Sequence, residues 1–225
     1  MSDKPDLHIV PNASGRTASL ELLVRKVETI GSLSDGEREA VLRLPATTKQ
    51  LRAHEDIVRD GDQPSVVTVI LDGIVARYKY APEGNRQIFS FHVPGDMPDA
   101  MSLFMERMDH HLSTMTETMI ATIPHAAMFE LFRQHQNLAY LFWRGTLIEA
   151  SIFREWMLGL GQREAYPRTA RLLCEILTQM QVAGKAEGYG CPLPLTQADL
   201  ADATGVSNVH INRTLQALRA EGLIE

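Results

Sequence analysis

The chain has 225 residues, of which 44% are hydrophobic, and it carries a formal net charge of −6 at pH 7 with a pI near 5.8. This length suits one large or two small domains, and the acidic balance excludes a protein that coats nucleic acid generally, although a specific binder needs positive charge only on its docking face. The two cysteines, Cys174 and Cys191, are too few for a four-cysteine metal site or an iron–sulfur cluster.

The first 44 residues predict an arm followed by two helices. Residues 1–17 are polar with Pro and Gly, so we expect a mobile N-terminal arm. Neither a signal pattern nor an apolar run of membrane length is present, and we therefore expect a cytoplasmic protein that does not contact a membrane. Helical periodicity runs from Ala18 to about Leu44. The second helix begins after Ser34, with Glu37 at the capping-box position.

Residues 47 to about 130 predict short β-strands. Runs of β-branched and aromatic residues alternate there with turns at Gly61, Gly73, Gly84 and Gly95, about a dozen residues apart. Such even spacing is typical of a β-sandwich or a β-roll. Gly84 and Asn85 suit the tip of a hairpin.

The helical period returns at Phe129, with a short helix over 129–134 and a long one over about 136–161. One row of the long helix repeats every three and four residues, and we predict that it forms a dimer seam. A second apolar row would then cover the β-roll, and the alternative is a helix buried within a monomer. The predicted seam is Leu138, Leu141, Gly145, Ile148, Ile152 and Trp156.

A further amphipathic helix is predicted over 168–181, where Cys174 is expected to be a buried thiol, and a loop over 183–195 follows it.

From Leu195 to the end, the pattern predicts a helix-turn-helix. Thr196 and Asp199 form a capping box, Gly205 permits the turn, and Ser207 caps the second helix. An ordinary pair of antiparallel helices is the alternative.

The outer face of the last helix is expected to read DNA. Arg213 can pair with guanine, Asn208 with adenine, and Val209 can contact a thymine methyl group in the major groove. Gln197 and Ser207 are expected to hold phosphates. The predicted DNA-binding residues are Thr196, Gln197, Ser207, Asn208, Val209, His210, Asn212, Arg213 and Gln216. The basic residues available near this face are Arg213 and Arg219, with Arg163, Arg168 and Arg171 upstream.

The order of these elements resembles the Crp/Fnr family of bacterial transcription regulators over about residues 18–225. The resemblance rests on IVRDGDQPSVVTVILDGIVARYKY followed by FHVPGD, and on LTQADLADATGVSNVHINRTLQALRAEGLI. It implies an α+β fold with an N-terminal β-roll of the jelly-roll, cyclic-nucleotide-binding-like type, a long dimerisation helix and a C-terminal winged-type helix-turn-helix domain. The implied division is an arm over 1–17, a β-roll sensor with flanking helices over 18–135, a dimerisation helix over 136–161 and a DNA-binding domain over 162–225. In the family a wing would begin at Glu225, so we expect a truncated or lost wing.

The effector pocket departs from the family pattern. Members that bind a cyclic nucleotide hold the ribose with a Gly-Glu pair and the phosphate with an Arg followed by small residues. Asp99-Ala100 and His110-His111-Leu112 stand at those positions here, and Arg107 is off register. We therefore expect no cyclic nucleotide and no other cofactor; the N-terminal cysteines of an Fnr-type cluster are also missing. The predicted, degenerate pocket is Gly95, Asp96, Asp99, Ala100, Ser102, His110, His111 and Leu112.

The leading hypothesis is a homodimeric regulator, not an enzyme, that binds a palindromic site in double-stranded DNA, contacts RNA polymerase and bends about a hinge near 162–166. Seven of the ten methionines lie between Met97 and Met128, which suits either a soft core or a pocket for an unidentified ligand or haem. A cupin-like metal protein is a further alternative. Adjacent strand residues such as His110 and His111 point to opposite faces and are not expected to share one ion.

Overall fold

The computed structural model describes the backbone of residues 13–225 and the side chains from residue 20 onward. Residues 1–12 of the predicted arm lie outside the described residues. Helix α1 (Ala13–Glu28) begins five residues earlier than the expected Ala18. Helix α2 (Asp35–Leu42) begins with the predicted capping box, in which the Ser34 hydroxyl accepts from the Glu37 backbone N–H and the Glu37 carboxylate accepts from the Ser34 N–H.

Within residues 13–225, seven strands form two antiparallel sheets, which confirms the predicted β-roll. The three-stranded sheet has the order β1-β7-β3, and the four-stranded sheet has the order β2-β6-β4-β5. Gly84, with a φ of 87°, closes the β4–β5 hairpin at the predicted tip. The strands are β1 (Thr47–Leu51), β2 (Asp56–Val58), β3 (Val66–Asp72), β4 (Val75–Tyr80), β5 (Arg86–His92), β6 (His111–Thr114) and β7 (Thr118–Pro124).

Strand β4 separates the inside of the roll from its outer face. Val75 lies in a cluster inside the roll, and Arg77, two residues on, pairs in register with Ser90 of β5. Ala76 and Tyr78 point outward and pack in a second apolar cluster, which the C-terminal helices share with the sheet. The sensor and the C-terminal region of the chain are therefore joined by one core.

Five further α-helices complete the fold of the described residues. The predicted short helix is longer than expected and begins at His125, and Pro167 lies inside the first turn of α5, where the missing N–H costs no helical hydrogen bond. Two residues, Arg163 and Glu164, separate α4 from α5 at the expected hinge. None of the described helices is both long and apolar enough to span a membrane. The helices are α3 (His125–Gln134), α4 (Gln136–Gln162), α5 (Ala165–Val182), α6 (Gln197–Thr204) and α7 (Asn208–Ala220).

Cys174 is exposed, so its prediction as a buried thiol was wrong. Helix α5 buries Leu172 and Ile176. Each lies two residues from Cys174, which is about 200° around a helix of 3.6 residues per turn. The thiol therefore points away from the core that its apolar neighbours enter.

Part of the predicted dimer seam on α4 packs against the chain's own core. Leu138 and Leu141 are 0% and 3% exposed and pack in the same apolar cluster as residues of α1. The Trp156 indole N–H donates to the Glu175 carboxylate of α5 at 3.0 Å. The remaining three seam residues, Gly145, Ile148 and Ile152, line a cleft, and Ile148 is 44% exposed.

The exposed apolar face of α4 lies on the opposite side of the helix. Trp143 is 64% and Met157 is 73% exposed, and Tyr140, Leu147 and Leu158 are exposed beside them. These five residues are called the outer face of α4 below. The outer face also contains apolar residues three and four positions apart, at Tyr140, Trp143 and Leu147, and the spacing alone therefore did not distinguish the two sides of α4.

Candidate DNA-binding surface and sensor pocket

The helix-turn-helix forms as its sequence predicts. Thr196 caps α6: its hydroxyl accepts from the Asp199 backbone N–H at 3.1 Å and donates to the Asp199 carboxylate at 2.7 Å. Gly205 adopts a left-handed conformation with a φ of 63° and ends α6. Ser207 caps α7 by accepting from the His210 N–H, and Ile211 of α7 is buried.

The outer face of α7 is open to solvent. Asn208, Val209, His210, Arg213 and Gln216 are all exposed. No hydrogen bond or ion pair of the Arg213 side chain occurs among the residues that the structure describes. This face therefore offers the donors, acceptors and methyl groups that base edges require.

Two predicted DNA-binding residues contact each other. The Asn212 amide donates to the Gln197 side-chain oxygen at 3.0 Å and ties α7 to α6. The hydroxyl of Thr196 is already used in the cap of α6. Asn212 and Gln197 therefore link the two helices, and Thr196 stabilises the start of α6. The exposed side chains that remain without such contacts are those on the outer face of α7.

The arginines upstream of the helix-turn-helix form ion pairs and hydrogen bonds within the chain. Arg163 and Arg171 lie 3.0 and 3.8 Å from the Glu155 carboxylate of α4. Arg168 donates to the backbone carbonyl of Thr204, at the end of α6, and to that of Arg163 at 2.6 Å. Arg168 therefore joins α5 to the end of α6, and Arg163 and Arg171 have their charge compensated by Glu155.

A clamp between the sensor and α6 was not predicted. Arg86, at the start of β5, donates to the carboxylates of Asp199 at 2.6 Å and Asp202 at 2.7 Å. The neighbouring Gln87 amide donates to the Asp202 carbonyl at 2.8 Å. Burial would raise the pKa of Asp199, but the hydrogen bonds of Thr196 and Arg86 outweigh burial and lower that pKa. More than 110 residues separate the partners, and no local pattern connects them.

The inside of the roll contains three buried polar side chains with unused hydrogen-bonding atoms. Arg77 is 2% exposed and donates to the carbonyl of Pro98. Its Nη2 atom also lies 3.1 Å from the Glu149 carboxylate of α4. Its Nε and Nη1 atoms have no partner among the described residues, and the same holds for Oδ2 of Asp99 and Nε2 of His110. Burial, together with the nearby Arg77 and His92, lowers the pKa of His110.

The predicted effector residues do not form one pocket. His110 lies inside the roll, and its Nδ1–H donates to the Asp109 carboxylate at 2.7 Å. His111 stacks on the Tyr78 ring outside the roll, with 5.1 Å between the ring centroids. This opposite orientation confirms the prediction for the two adjacent histidines. Leu112 is fully buried in the cluster inside the roll, and Ser102 hydrogen-bonds His125 at 3.0 Å.

The two acidic residues of the predicted pocket have opposite pKa shifts. Burial would raise the pKa of Asp96, but His92 and the Lys26 ammonium, 2.6 Å away, outweigh burial and lower the pKa to about 2. Burial raises the pKa of Asp99 to about 6, even though the Thr68 backbone N–H donates to it at 2.7 Å. Asp99 is therefore the costlier of the two to keep ionised.

Asp99→Asn is expected to change how stability depends on pH. Because the folded pKa near 6 exceeds the usual 3.8, the folded state holds the proton more tightly and loses stability as the pH rises through this interval. That loss amounts to about 2–3 kcal/mol. Urea unfolding at pH 4.5 and pH 8 should show a smaller decrease for Asp99→Asn than for the wild type. The exposed variant Asp72→Asn should retain the wild-type decrease; an unchanged decrease in Asp99→Asn would contradict this account.

A cleft of about 310 Å³ opens beside the roll. It lies between α1, the end of β5, the turn at 95–97, α4 and α5. Three of the predicted effector residues, Gly95, Asp96 and Ala100, line it. Of the methionines that suggested a soft pocket, Met97 lines the cleft, whereas Met108, Met115 and Met128 are each buried in a different apolar cluster. Among the described residues, no three His, Cys, Asp or Glu side chains are placed to share a metal ion.

A sensor built as a β-roll, a long helix with an exposed apolar face and a helix-turn-helix with an open outer face define a DNA-binding regulator. The comparisons agree with this class. A model of the cyclic nucleotide-binding domain matches residues 48–135, and a model of the Crp-like helix-turn-helix domain matches residues 167–225. The chain belongs to the Crp/Fnr family of transcription regulators.

Similar proteins cover nearly the whole chain. The transcriptional activator protein FnrL of Cereibacter sphaeroides is 24% identical over 97% of this chain and 87% of FnrL. The nitrogen fixation regulation protein FixK of Rhizobium meliloti is 28% identical over 81% of this chain and 78% of its own. The solved structure of FixK2 from Bradyrhizobium japonicum has the same fold, with a TM-score of 0.73 and 24% identity over 81% of this chain and 88% of that one. Regulators of this type bind DNA and are typically dimeric.

Proposed function

We propose that this regulator binds a palindromic site in double-stranded DNA as a homodimer and that its sensor does not bind a cyclic nucleotide. The observation that carries DNA recognition is the exposed outer face of α7, with Arg213 at its centre and the capped corner of the helix-turn-helix behind it. Two such helices, about one turn of DNA apart, match two half-sites related by symmetry.

The outer face of α4 supports the homodimer. Its large apolar side chains are exposed along most of a 27-residue helix, and an apolar surface of this extent is costly to leave in water. A second copy of α4 presents the same face, and two identical faces related by a twofold axis complement each other. The aromatic residues Tyr140 and Trp143 are of the type that contributes most to such interfaces.

The inside of the roll supports the absence of a cyclic nucleotide. Leu112 and Met108 are 0% and 2% exposed and fill this space. The charge of Arg77, the buried cation there, is compensated by Glu149 at 3.1 Å from Nη2, and its Nε and Nη1 atoms have no partner among the described residues. Arg107 is exposed and donates to the Gly61 carbonyl at 3.1 Å, far from a phosphate inside the roll. A charged phosphate would need a cation that is free to bind it.

The remaining assignments follow from this function. We assign one function to each segment: a sensor over 18–135, a dimerisation helix over 136–161 and a DNA-binding domain over 162–225. A regulator that binds genomic DNA acts in the bacterial cytoplasm, contacts RNA polymerase and needs no catalytic residues. A second candidate function, a regulator that responds to a small ligand other than a nucleotide, is favoured by the cleft beside the roll.

Arg213→Ala is expected to weaken specific DNA binding by about 1–3 kcal/mol and to relax the preference at one base pair, because a bidentate contact to guanine is lost. Fluorescence anisotropy on the selected site and on its single-base variants measures both effects. Arg219→Ala, on the same helix, should weaken binding to all sequences alike. If the base preference survived Arg213→Ala unchanged, Arg213 would not be a base-reading residue.

Binding-site selection from random DNA, with and without cyclic AMP, tests the proposed function. We expect the full chain to enrich one palindrome equally under both conditions. Enrichment only with cyclic AMP would show that the roll still binds the nucleotide. No enriched sequence under either condition would contradict sequence-specific recognition by this chain.

A further inference from the structure

The two ends of α4 are anchored in different ways from its middle. Leu138 and Leu141, near the start of the helix, pack in the apolar cluster that includes residues of α1. Trp156, near its end, donates to Glu175 of α5. Within the described part of the chain, none of the three apolar clusters includes a residue between 143 and 155. Apolar packing therefore does little to fix the middle of the helix against the roll.

Arg77 joins the roll to this middle part of α4. It lies on β4, and its Nη2 atom is 3.1 Å from the Glu149 carboxylate. Its guanidinium carbon lies 5.7 Å from the centre of the Phe153 ring, about one helical turn further along α4. Among the described residues, the ion pairs that connect a strand to α4 all end on Glu149, and the other partner, His92, is 4.0 Å away. Arg77 therefore makes the closest polar contact between the sheet and the middle of α4.

The same guanidinium also holds a third segment. It donates to the carbonyl of Pro98, in the segment that follows β5. Strand β4, this segment and α4 thus meet at one side chain, which is 2% exposed. A charge buried at such a junction favours one arrangement of the segments, because any other arrangement leaves it without its partners.

Packing alone does not explain a buried arginine at this position. Two of its nitrogen atoms, Nε and Nη1, have no partner among the residues that the structure describes. Burying a guanidinium with unused donors costs free energy, and an apolar side chain of similar volume would avoid that cost. The contribution of Arg77 is therefore to be sought in the arrangement of the segments that it joins.

The position of α4 affects both surfaces that DNA binding needs. Its outer face carries the side chains assigned to the dimer interface. Its last residue is separated by only two residues from α5, the first helix of the DNA-binding domain. A shift of α4 relative to the roll therefore changes the distance between the two recognition helices of a dimer, which must match about one turn of DNA.

We propose that Arg77 is a positioning residue for DNA binding, which links Pro98 to Glu149 and so holds α4 against the roll in the DNA-binding arrangement without a bound effector. This inference rests on the proposed function, because it explains how the regulator binds DNA when no nucleotide occupies the roll. The link between Arg77 and α4 is also measurable in the absence of DNA.

Hydrogen exchange of Arg77→Met tests the link without DNA. Methionine fills a similar space and carries no charge. The amides of residues 145–153 should exchange about fivefold faster or more than in the wild type, whereas those of β7 should not change. The urea midpoint should remain that of the wild type, because the variant also removes a costly buried charge. Unchanged exchange over 145–153 would overturn the proposal.

DNA binding provides the second readout. Fluorescence anisotropy should show that Arg77→Met binds the selected palindrome about tenfold more weakly than the wild type. The matched control is Lys79→Met, which removes a cation of the same strand that pairs with Asp60 at 3.5 Å, and it should bind as the wild type does. Equal affinities of Arg77→Met and the wild type would overturn the proposal. Failure of the wild type to select a sequence would instead contradict the proposed function, and the exchange measurement would still decide whether Arg77 holds α4.

Glu149→Gln is the second variant, in case Arg77→Met does not fold. It should accelerate exchange of the same amides and weaken DNA binding to a similar extent. The double variant should lose no more affinity than the single variants, because all of them remove the same contact. Losses that add in the double variant would show that the two residues act separately and would overturn the proposal.

Arg77→Lys separates positioning from the packing of a long side chain. Lysine keeps the cation but lacks the planar fork that reaches several partners at once. Its affinity for the palindrome should therefore lie between those of the wild type and Arg77→Met. An Arg77→Lys protein that binds as weakly as Arg77→Met would show that the charge does not hold α4 and would overturn the proposal.

Discussion

Trp143→Asp is expected to leave a 25.1 kDa monomer in place of the dimer and to weaken binding to the selected palindrome by about 100-fold or more. The substitution puts a carboxylate in the middle of the outer face of α4, where it would be buried without a partner in a dimer. A monomer then binds one half-site and loses the contribution of the other. Sedimentation equilibrium measures the mass, and fluorescence anisotropy measures the affinity.

The matched control is Tyr189→Asp, since Tyr189 is an exposed aromatic residue in the loop between α5 and α6. This variant should remain dimeric and bind DNA as the wild type does. Circular dichroism should show that both variants are folded. A Trp143→Asp protein that stays dimeric would contradict the assignment of the outer face of α4 as the dimer interface.

Arg86→Ala is expected to lower the free energy of unfolding by about 2–3 kcal/mol. Asp199 is 2% exposed, and without Arg86 its carboxylate stays buried with no cation beside it. The expected loss is smaller than for a fully buried pair because Arg86 and Asp202 are partly accessible to water. Urea unfolding at pH 7 measures the loss, and faster hydrogen exchange in α6 should accompany it.

The pH dependence gives this prediction a second readout. The lowered pKa of Asp199 adds stability that is complete above its usual pKa of 3.8 and is lost as the pH falls through the lower folded value. Arg86→Ala should reduce this acid-induced loss. Lys79→Ala, which removes an exposed ion pair to Asp60 at 3.5 Å, should cost no more than about 0.5 kcal/mol. Equal effects of the two variants would show that Arg86 does not clamp α6.

Local sequence signals predicted the helix-turn-helix well. The caps at Thr196 and Ser207 and the turn at Gly205 depend on residues within a few positions of each other, so their chemistry is visible in the sequence. The β-roll was predicted for the same reason, because Gly61, Gly73, Gly84 and Gly95 mark four of its turns. Hydrogen-bond partners that are far apart in the sequence produce no local sequence signal. The clamp from Arg86 to α6 was therefore not predicted.

The site residues that the structure places differently are those whose sequence pattern is compatible with two different side-chain orientations. Helix α4 is apolar on two sides, and the side chosen for the dimer packs against its own chain through Leu138 and Leu141. Alignment with the family placed His110, His111 and Leu112 together, but the strand sends them to two faces of the sheet. The cleft needs five separate segments to form, and no stretch of sequence contains it.

The apolar cluster shared by the sheet and the C-terminal helices affects how truncated and chimaeric versions of this protein should be designed. Ala76 and Phe91 of the roll pack in one cluster with Ile176 and Leu200 of the DNA-binding domain. A fragment that begins at residue 162 would therefore expose an apolar surface that the intact chain covers. The boundary between the sensor function and the DNA-binding function is therefore not a boundary between two folding units. A chimaera that joins this DNA-binding domain to another sensor needs a sheet surface in that sensor that covers the same apolar residues.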